Sequence, residues 1–118
     1  MNINYLRKKQ IKKALYERDG GKCHYCGIEE KDFIPIWGRA FRQGRRGLTL
    51  EVDRKNPKGL YIPSNCVLAC YACNNAKSDV FTYEEFKRVG DVIKEIYQQK
   101  QALYLRRSPQ ATGTVAAG

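Results

Sequence analysis

Two cysteine pairs offer the clearest chemistry in this sequence. They read CHYC at residues 23–26 and CYAC at residues 70–73. Four thiolates in two such pairs form the usual ligand set of a tetrahedral structural zinc site. Zinc binding in small folds is largely folding free energy, on the order of 10 kcal/mol. The spacing therefore predicts a zinc ion held by Cys23, Cys26, Cys70 and Cys73.

The segment between the pairs carries the polar residues that could act beside such a scaffold. Residues 48–54, LTLEVDR, alternate apolar and polar side chains, which predicts a strand over 48–53 with Asp53 on its polar face. A second strand is predicted at 65–69, where the fifth cysteine, Cys66, is expected to be a buried free thiol. A short helix is expected from about residue 73 to residue 78. The cysteine pairs thus lie at the two ends of a strand, loop, strand and helix.

Two longer helices are predicted on either side of this unit. Residues 3–18 carry an imperfect apolar stripe among basic residues and end at Asp19-Gly20-Gly21. The sequence TYEE at 82–85 is a capping box, and apolar residues continue at helical spacing to Leu105. Gly90 lies inside this second helix at a cost of about 1 kcal/mol relative to alanine, which indicates close packing there. Residues 34–47 are predicted to form a loop or irregular hairpin. Residues 108–118 are predicted to form a disordered tail.

The chain is basic, with 22 Lys and Arg against 12 Asp and Glu and a formal net charge of +10. This excess favours a polyanionic partner, and nucleic acid before membrane, although a solvated surface is the plainer explanation. The sequence shows no export signal and no long apolar run, so we expect a cytoplasmic protein whose cysteines bind metal rather than form disulfides. The basic clusters comprise residues 7–13, Arg39, Arg42, Arg45, Arg46, Arg54, Lys55 and Lys58.

These motifs together resemble the HNH endonuclease family. The likeness rests on the run ending in Asp53-Arg54 and on NCVLACYACNNAKS at 65–78, and it covers about residues 15–86. It is closest to zinc-stapled members found in phages, mobile elements and some restriction systems. It implies an α+β fold, a zinc-stabilised treble-clef or ββα-metal finger at 20–80 with flanking N- and C-terminal helices. The nuclease domain would span 1–107, with its C-terminal helix at 82–106.

The resemblance also implies roles for individual residues. Asp53 and Asn74 match positions that bind a catalytic divalent cation, Mg²⁺ or Mn²⁺, which prefers oxygen ligands, and Asn75 replaces Asn74 if the register shifts by one residue. Asn65 matches the middle signature residue, which holds the loop in place. Arg54 stands where the family usually has a histidine as general base. An arginine cannot take up a proton, but it can hold a phosphate and stabilise developing charge.

The base therefore stays open at this point. Members with Asp-Arg at these positions occur in the family, and some are thought to begin the attack with a tyrosine. The candidates here are Tyr25, Tyr61, Tyr71, His24 or a bound water. The resemblance further implies that the finger helix lies against double-stranded DNA. Nucleic-acid contacts are expected from Arg39, Arg42, Arg45, Arg46 and Lys77.

Three functions fit this sequence. The first is a metal-dependent DNA endonuclease, acting in homing, packaging or restriction, with a possible homodimer through the apolar stripe at 82–105. The second is a DNA-binding zinc protein that has lost catalysis, as the missing base suggests. The third is a zinc protein that binds other proteins or acts in redox chemistry, and it predicts little affinity for nucleic acid.

Overall fold

The computed structural model describes residues 3–38 and 47–107. The first helix, α1, runs over Ile3–Asp19. It ends as predicted, because Gly20 adopts the left-handed conformation at φ +82° and its N–H donates to the Tyr16 carbonyl at 2.9 Å. The arginines predicted at 39–46 and the tail predicted at 108–118 lie outside the described residues.

Among the described residues, two short antiparallel strands form a sheet. Strand β1 covers Glu51–Arg54 and strand β2 covers Cys66–Ala69, with Glu51 opposite Ala69 and Arg54 opposite Cys66. The predicted first strand, 48–53, therefore begins three residues too early. The reason is that β2 is only four residues long and leads straight into the second cysteine pair. Within the described residues no strand pairs with residues 48–50, although Leu50 is fully buried.

Short turns and two further helices complete the order of elements. A 3-10 turn at Glu30–Asp32 and a π turn at Phe33–Trp37 follow the first cysteine pair. A 3-10 turn at Pro63–Asn65 precedes β2. Helix α2 spans Tyr71–Lys77 and helix α3 spans Tyr83–Arg107.

The N-termini of α2 and α3 are capped in different ways. Helix α2 begins two residues earlier than predicted, because the Sγ of Cys70 accepts a hydrogen bond from the Cys73 N–H at 3.4 Å and caps the helix. At α3 the predicted capping box is confirmed. The Thr82 N–H donates to the Glu85 carboxylate at 2.9 Å, and the Glu85 N–H donates to the Thr82 hydroxyl at 3.3 Å.

The core lies where α1, β2 and α3 meet the cysteine pairs. Every residue of β2 is buried, and Cys66 is a buried free thiol as predicted. Burial raises the pKa of this thiol. Side chains from the other elements close the core, among them Ile11, Leu15, Ile28, Phe33, Leu50 and Phe86.

Helix α3 approaches the first cysteine pair very closely. A Cβ atom added to Gly90 would lie 2.8 Å from the Cβ and 2.9 Å from the carbonyl oxygen of Tyr25. The Tyr25 ring meets Phe86 edge to face, with centroids 5.0 Å apart. The close packing predicted at Gly90 is thus present, and it fixes Tyr25 between the finger and α3.

Candidate active site

The four cysteines predicted to bind zinc lie together. Their Sγ atoms are all within 4.8 Å of one another and all four side chains are buried. The Sγ atoms of Cys26 and Cys70 are 3.8 Å apart, which matches the edge of a tetrahedron with Zn–S bonds of about 2.3 Å. Hydrogen bonds to neighbouring thiols, together with burial, raise the pKa of Cys73. Since four buried thiolates need a cation beside them, the donor set fits a structural zinc ion.

Asp53 lies at the centre of a buried polar contact. It is only 5% exposed. Its Oδ2 accepts a hydrogen bond from the Tyr25 hydroxyl at 2.6 Å, and its Oδ1 lies 3.3 Å from the Lys77 Nζ. Burial raises the pKa of Asp53, while Tyr25 and Lys77 oppose that rise. The carboxylate of Asp53 is therefore largely covered by protein.

Lys77 occupies a different place from the one its sequence position suggests. It was expected on a DNA-facing surface of the finger helix, but its side chain is fully buried. The ammonium group donates to the Arg54 carbonyl at 2.8 Å and pairs with Asp53. The helix turns Lys77 inward because α2 packs its inner face on β1. A direct phosphate contact by Lys77 does not fit this position.

Arg54 and Tyr61 lie together at the mouth of the site. The Arg54 Nη1 donates to the Gly59 carbonyl at 3.0 Å, and its guanidinium carbon lies 4.5 Å from the centre of the Tyr61 ring. Asp79 is 3.9 Å from its Nη2 but is 85% exposed, so this ion pair is weak. The guanidinium is thus held by a carbonyl and an aromatic face.

Asn65 holds the loop that joins the strands. Its Nδ2 donates to the Asn56 carbonyl at 3.2 Å and to the Leu60 carbonyl at 2.9 Å. Its Oδ1 accepts from the Asn56 N–H at 3.1 Å. The side chain uses both its donor and its acceptor, as the expected architectural role requires. It fixes the loop that carries Tyr61 beside Arg54.

Asn74 forms a hydrogen bond with Glu51, which was not among the predicted site residues. Its Nδ2 donates to the Glu51 Oε1 at 2.7 Å, which leaves the amide oxygen as the atom with which Asn74 can bind a cation. Glu51 precedes Asp53 by two residues, so the two carboxylates share one face of β1. That spacing was the signal in the sequence that could have found Glu51.

One polar cleft lies between β1, α2 and the loop that carries Tyr61. Its volume is about 220 Å³. The structure thus brings together Asp53, Arg54 and Asn74, as the sequence analysis predicts, whereas Asn65 acts from behind the loop. The cleft is lined by Val52, Asp53, Arg54, Pro57, Tyr61, Asn74, Lys77, Ser78 and Asp79.

The four candidate bases differ in position. Tyr61 lines the cleft, and Tyr25 touches Asp53 from behind it. Burial and the hydrogen bond to Asp53 raise the pKa of Tyr25. The His24 Nε2 lies 2.7 Å from the Tyr83 hydroxyl, and burial lowers the pKa of His24. His24 and Tyr71 are not among the residues that line the cleft.

The fold of this chain is similar to that of a solved restriction enzyme. That protein is described as the rare-cutting HNH restriction endonuclease PacI. The similarity has a TM-score of 0.62 at 24% sequence identity and covers 86% of this chain and 83% of the other. No family model matches the chain, and no curated protein matches it. The chain therefore has the α+β fold of an HNH endonuclease, with four clustered cysteines that can bind metal, as its sequence resemblance predicts.

Proposed function

We propose that this protein is a metal-dependent endonuclease that hydrolyses phosphodiester bonds in double-stranded DNA. One observation carries the proposal: Asp53, Arg54 and Asn74 come from β1 and α2 and line the same cleft. A cation, a carboxylate and an amide at one site are the groups that phosphodiester hydrolysis needs. The shared fold with the HNH restriction endonuclease PacI supports the same activity.

The residues of the cleft fit a hard divalent cation such as Mg²⁺ or Mn²⁺. Asp53 and the amide oxygen of Asn74 would hold it, and Glu51 lies within hydrogen-bond distance of Asn74. When bound, such an ion stabilises negative charge on the phosphate and on the leaving oxygen. The four cysteines would hold zinc separately, as a scaffold.

Arg54 binds the phosphate and does not serve as the general base. A guanidinium offers several N–H donors to a phosphate oxygen and has no acceptor for a proton. The Gly59 carbonyl and the Tyr61 ring hold it at the cleft mouth before any substrate arrives. This preorganisation favours the transition state, where charge on the phosphate oxygens is greatest.

Tyr25 is the best candidate to move the proton. Its hydroxyl lies 2.6 Å from Asp53 Oδ2, which is the distance expected between a hydroxyl and the base that serves it. Because the pKa of Tyr25 is raised, the phenol keeps its own proton at neutral pH. We infer that Tyr25 relays a proton: its oxygen takes the proton of the attacking water while its own proton passes to Asp53, so that no standing phenolate is needed.

The activity is tested with supercoiled plasmid and Mg²⁺ or Mn²⁺. We expect nicked or linear product with either ion, and no product when Ca²⁺ replaces them. Omitting the ion is cleaner than adding a chelator, because a chelator would also remove zinc. Asp53→Asn should lower the rate at least about 100-fold. Asp79→Asn is the matched control, since Asp79 also lines the cleft but is 85% exposed, and it should stay close to wild type.

An inactive zinc protein that only binds DNA is the alternative outcome. It is favoured by one observation, that Tyr25 and Lys77 already engage both carboxylate oxygens of Asp53. Wild-type protein that binds duplex DNA without nicking it under either ion would establish this alternative. Nicking that is unchanged by Asp53→Asn would also overturn the proposed mechanism.

The two tyrosines near the site give a separate prediction. Tyr25→Phe should lower the cleavage rate about 100-fold, because it removes the hydroxyl that touches Asp53. Tyr61→Phe should change the rate only a few-fold, because Tyr61 contacts Arg54 through its ring. Single-turnover rates of the two variants on one plasmid make the comparison. If Tyr61→Phe were the slow variant instead, the base would be Tyr61.

A homodimer and a role in restriction remain proposals. Helix α3 exposes apolar side chains that a second copy could cover, including Val89, Val92 and Ile96. Two copies would place one site on each DNA strand, as double-strand cutting requires.

Among the described helices, none is long and apolar enough to cross a membrane.

A further inference from the structure

Helix α1 presents a basic face that the proposed chemistry does not use. Lys8 and Lys12 are four residues apart, and Lys9 is three residues from Lys12, so the three side chains share one side of the helix. The buried stripe of Ile11 and Leu15 runs directly beside these lysines, because each of the two lies three residues after a lysine. The sequence of α1 contains no acidic residue before Glu17. Within the described residues, none of these three lysines forms an ion pair.

These lysines line a groove next to the active-site cleft. The groove has a volume of about 530 Å³ and is bordered by the three lysines, Glu51, Val52 and Tyr61. Val52 and Tyr61 also line the cleft, so the groove and the cleft share a wall. The Lys8 Nζ lies 4.6 Å from the centre of the Tyr61 ring, and the Arg54 guanidinium carbon lies 4.5 Å from the same centre. One aromatic ring thus connects the basic helix to the arginine at the site.

The one carboxylate of the groove, Glu51, is already hydrogen-bonded. Glu51 Oε1 accepts the hydrogen bond from Asn74 at 2.7 Å, which points that oxygen toward the cleft. The Lys12 Nζ donates to the Thr49 hydroxyl at 3.0 Å, which holds this lysine against the segment before β1. The groove therefore combines a positive side on α1 with a floor on β1 and an aromatic wall.

We propose that this groove binds the phosphate backbone of duplex DNA beside the phosphate held in the cleft. Lys8, Lys9 and Lys12 contact these flanking phosphates, and Tyr61 separates them from the scissile one. The proposal rests on the proposed endonuclease function for its choice of duplex DNA as the polyanion. It adds a second surface, on α1, that sets how the DNA lies across the cleft. Such contacts carry no sequence information, because phosphates are the same at every base pair.

The salt dependence of binding tests this surface without any cleavage. Each phosphate contact contributes about −0.9 to the slope of log K against log salt concentration for duplex DNA. The probe is a short fluorescein-labelled duplex, with Ca²⁺ in place of Mg²⁺, and the readout is fluorescence anisotropy at a series of salt concentrations. In the variant Lys8→Gln/Lys12→Gln the slope should become shallower by about 1.8. The affinity at moderate salt should fall roughly tenfold.

A matched variant separates the surface from net charge. Lys94→Gln/Lys100→Gln removes the same charge from exposed positions on α3, and its slope should remain close to that of wild type. Circular dichroism and zinc content confirm that both double variants are folded. Equal slopes for the two double variants would overturn the proposal, and so would a wild type that does not bind the duplex.

The same proteins also distinguish this proposal from the proposed function. A wild type that nicks plasmid, with equal slopes for the two double variants, keeps the endonuclease and removes the α1 surface. A wild type that never nicks, with a shallower slope only for Lys8→Gln/Lys12→Gln, removes the endonuclease and supports the surface.

Discussion

Removal of the proposed zinc ion should unfold this protein. The sheet consists of two strands of four residues each, and the four clustered cysteines lie in the middle of the core. A domain of this size buries too little apolar surface to tolerate the loss of such a centre. Zinc binding to a four-cysteine site is worth on the order of 10 kcal/mol, which exceeds the stability of many small domains. The expected result is loss of the cooperative thermal transition.

The measurement combines chelation with two serine variants. Cys70→Ser should prevent zinc binding and give a chain without a folded circular dichroism spectrum. Cys66→Ser is the matched control, since Cys66 is also fully buried but lies outside the cluster. It should keep one zinc per chain and lose only about 1–3 kcal/mol, the cost of a buried hydroxyl that lacks a good partner. A cooperative transition that survives chelation at an unchanged temperature would contradict the prediction.

The parts of the fold that depend on local sequence could be predicted. The clustering of the four cysteines follows from their spacing, because two close pairs of thiols are the usual ligand set of one tetrahedral metal site. Helix α3 follows from its capping box and its apolar spacing, and α1 follows from its glycine stop. In each case the evidence lies within a few residues of the feature.

The details that depend on packing between distant segments could not be predicted. The alternating pattern predicts that Asp53 lies on a polar face. It does not reveal that Lys77 and Tyr25, which are 24 and 28 positions away in the sequence, hydrogen-bond to Asp53 there. A residue inside a cysteine pair is usually exposed, yet Tyr25 is buried because Gly90 lets α3 reach it. The length of β1 was set by its partner, which no pattern in β1 reveals.

The buried pair of Lys77 and Asp53 gives the second large effect. The side chains are 1% and 5% exposed and lie 3.3 Å apart. Breaking a buried pair by removing one partner typically costs 3–5 kcal/mol, because an uncompensated charge stays inside the protein. Lys77→Met and Asp53→Asn should each lose about this much free energy of unfolding. Lys31→Met is the control, since Lys31 pairs with Asp32 at 3.5 Å but is 69% exposed, and it should lose at most about 1 kcal/mol.

The pH dependence of Lys77→Met has a definite sign. Burial already raises the pKa of Asp53, and removal of the ammonium group raises it further. The folded state then holds a proton more tightly than the unfolded state, so the carboxyl favours folding at low pH and opposes it above its folded pKa. The deficit of Lys77→Met relative to wild type should therefore shrink as the pH falls. Denaturant titrations at several pH values measure it, and a deficit that grows toward acid would contradict this account.

The double variant Lys77→Met/Asp53→Asn distinguishes a purely structural role of the ion pair from a catalytic role of Asp53. The double variant leaves no uncompensated charge at this position, so it should recover most of the stability that each single variant loses. If Asp53 serves only to balance Lys77, the recovered protein should also cleave DNA. If Asp53 acts on the metal and on Tyr25, the double variant should be folded, bind zinc and duplex DNA, and cleave no faster than Asp53→Asn. The proposed function requires the second result, since there the loss of cleavage cannot be attributed to unfolding.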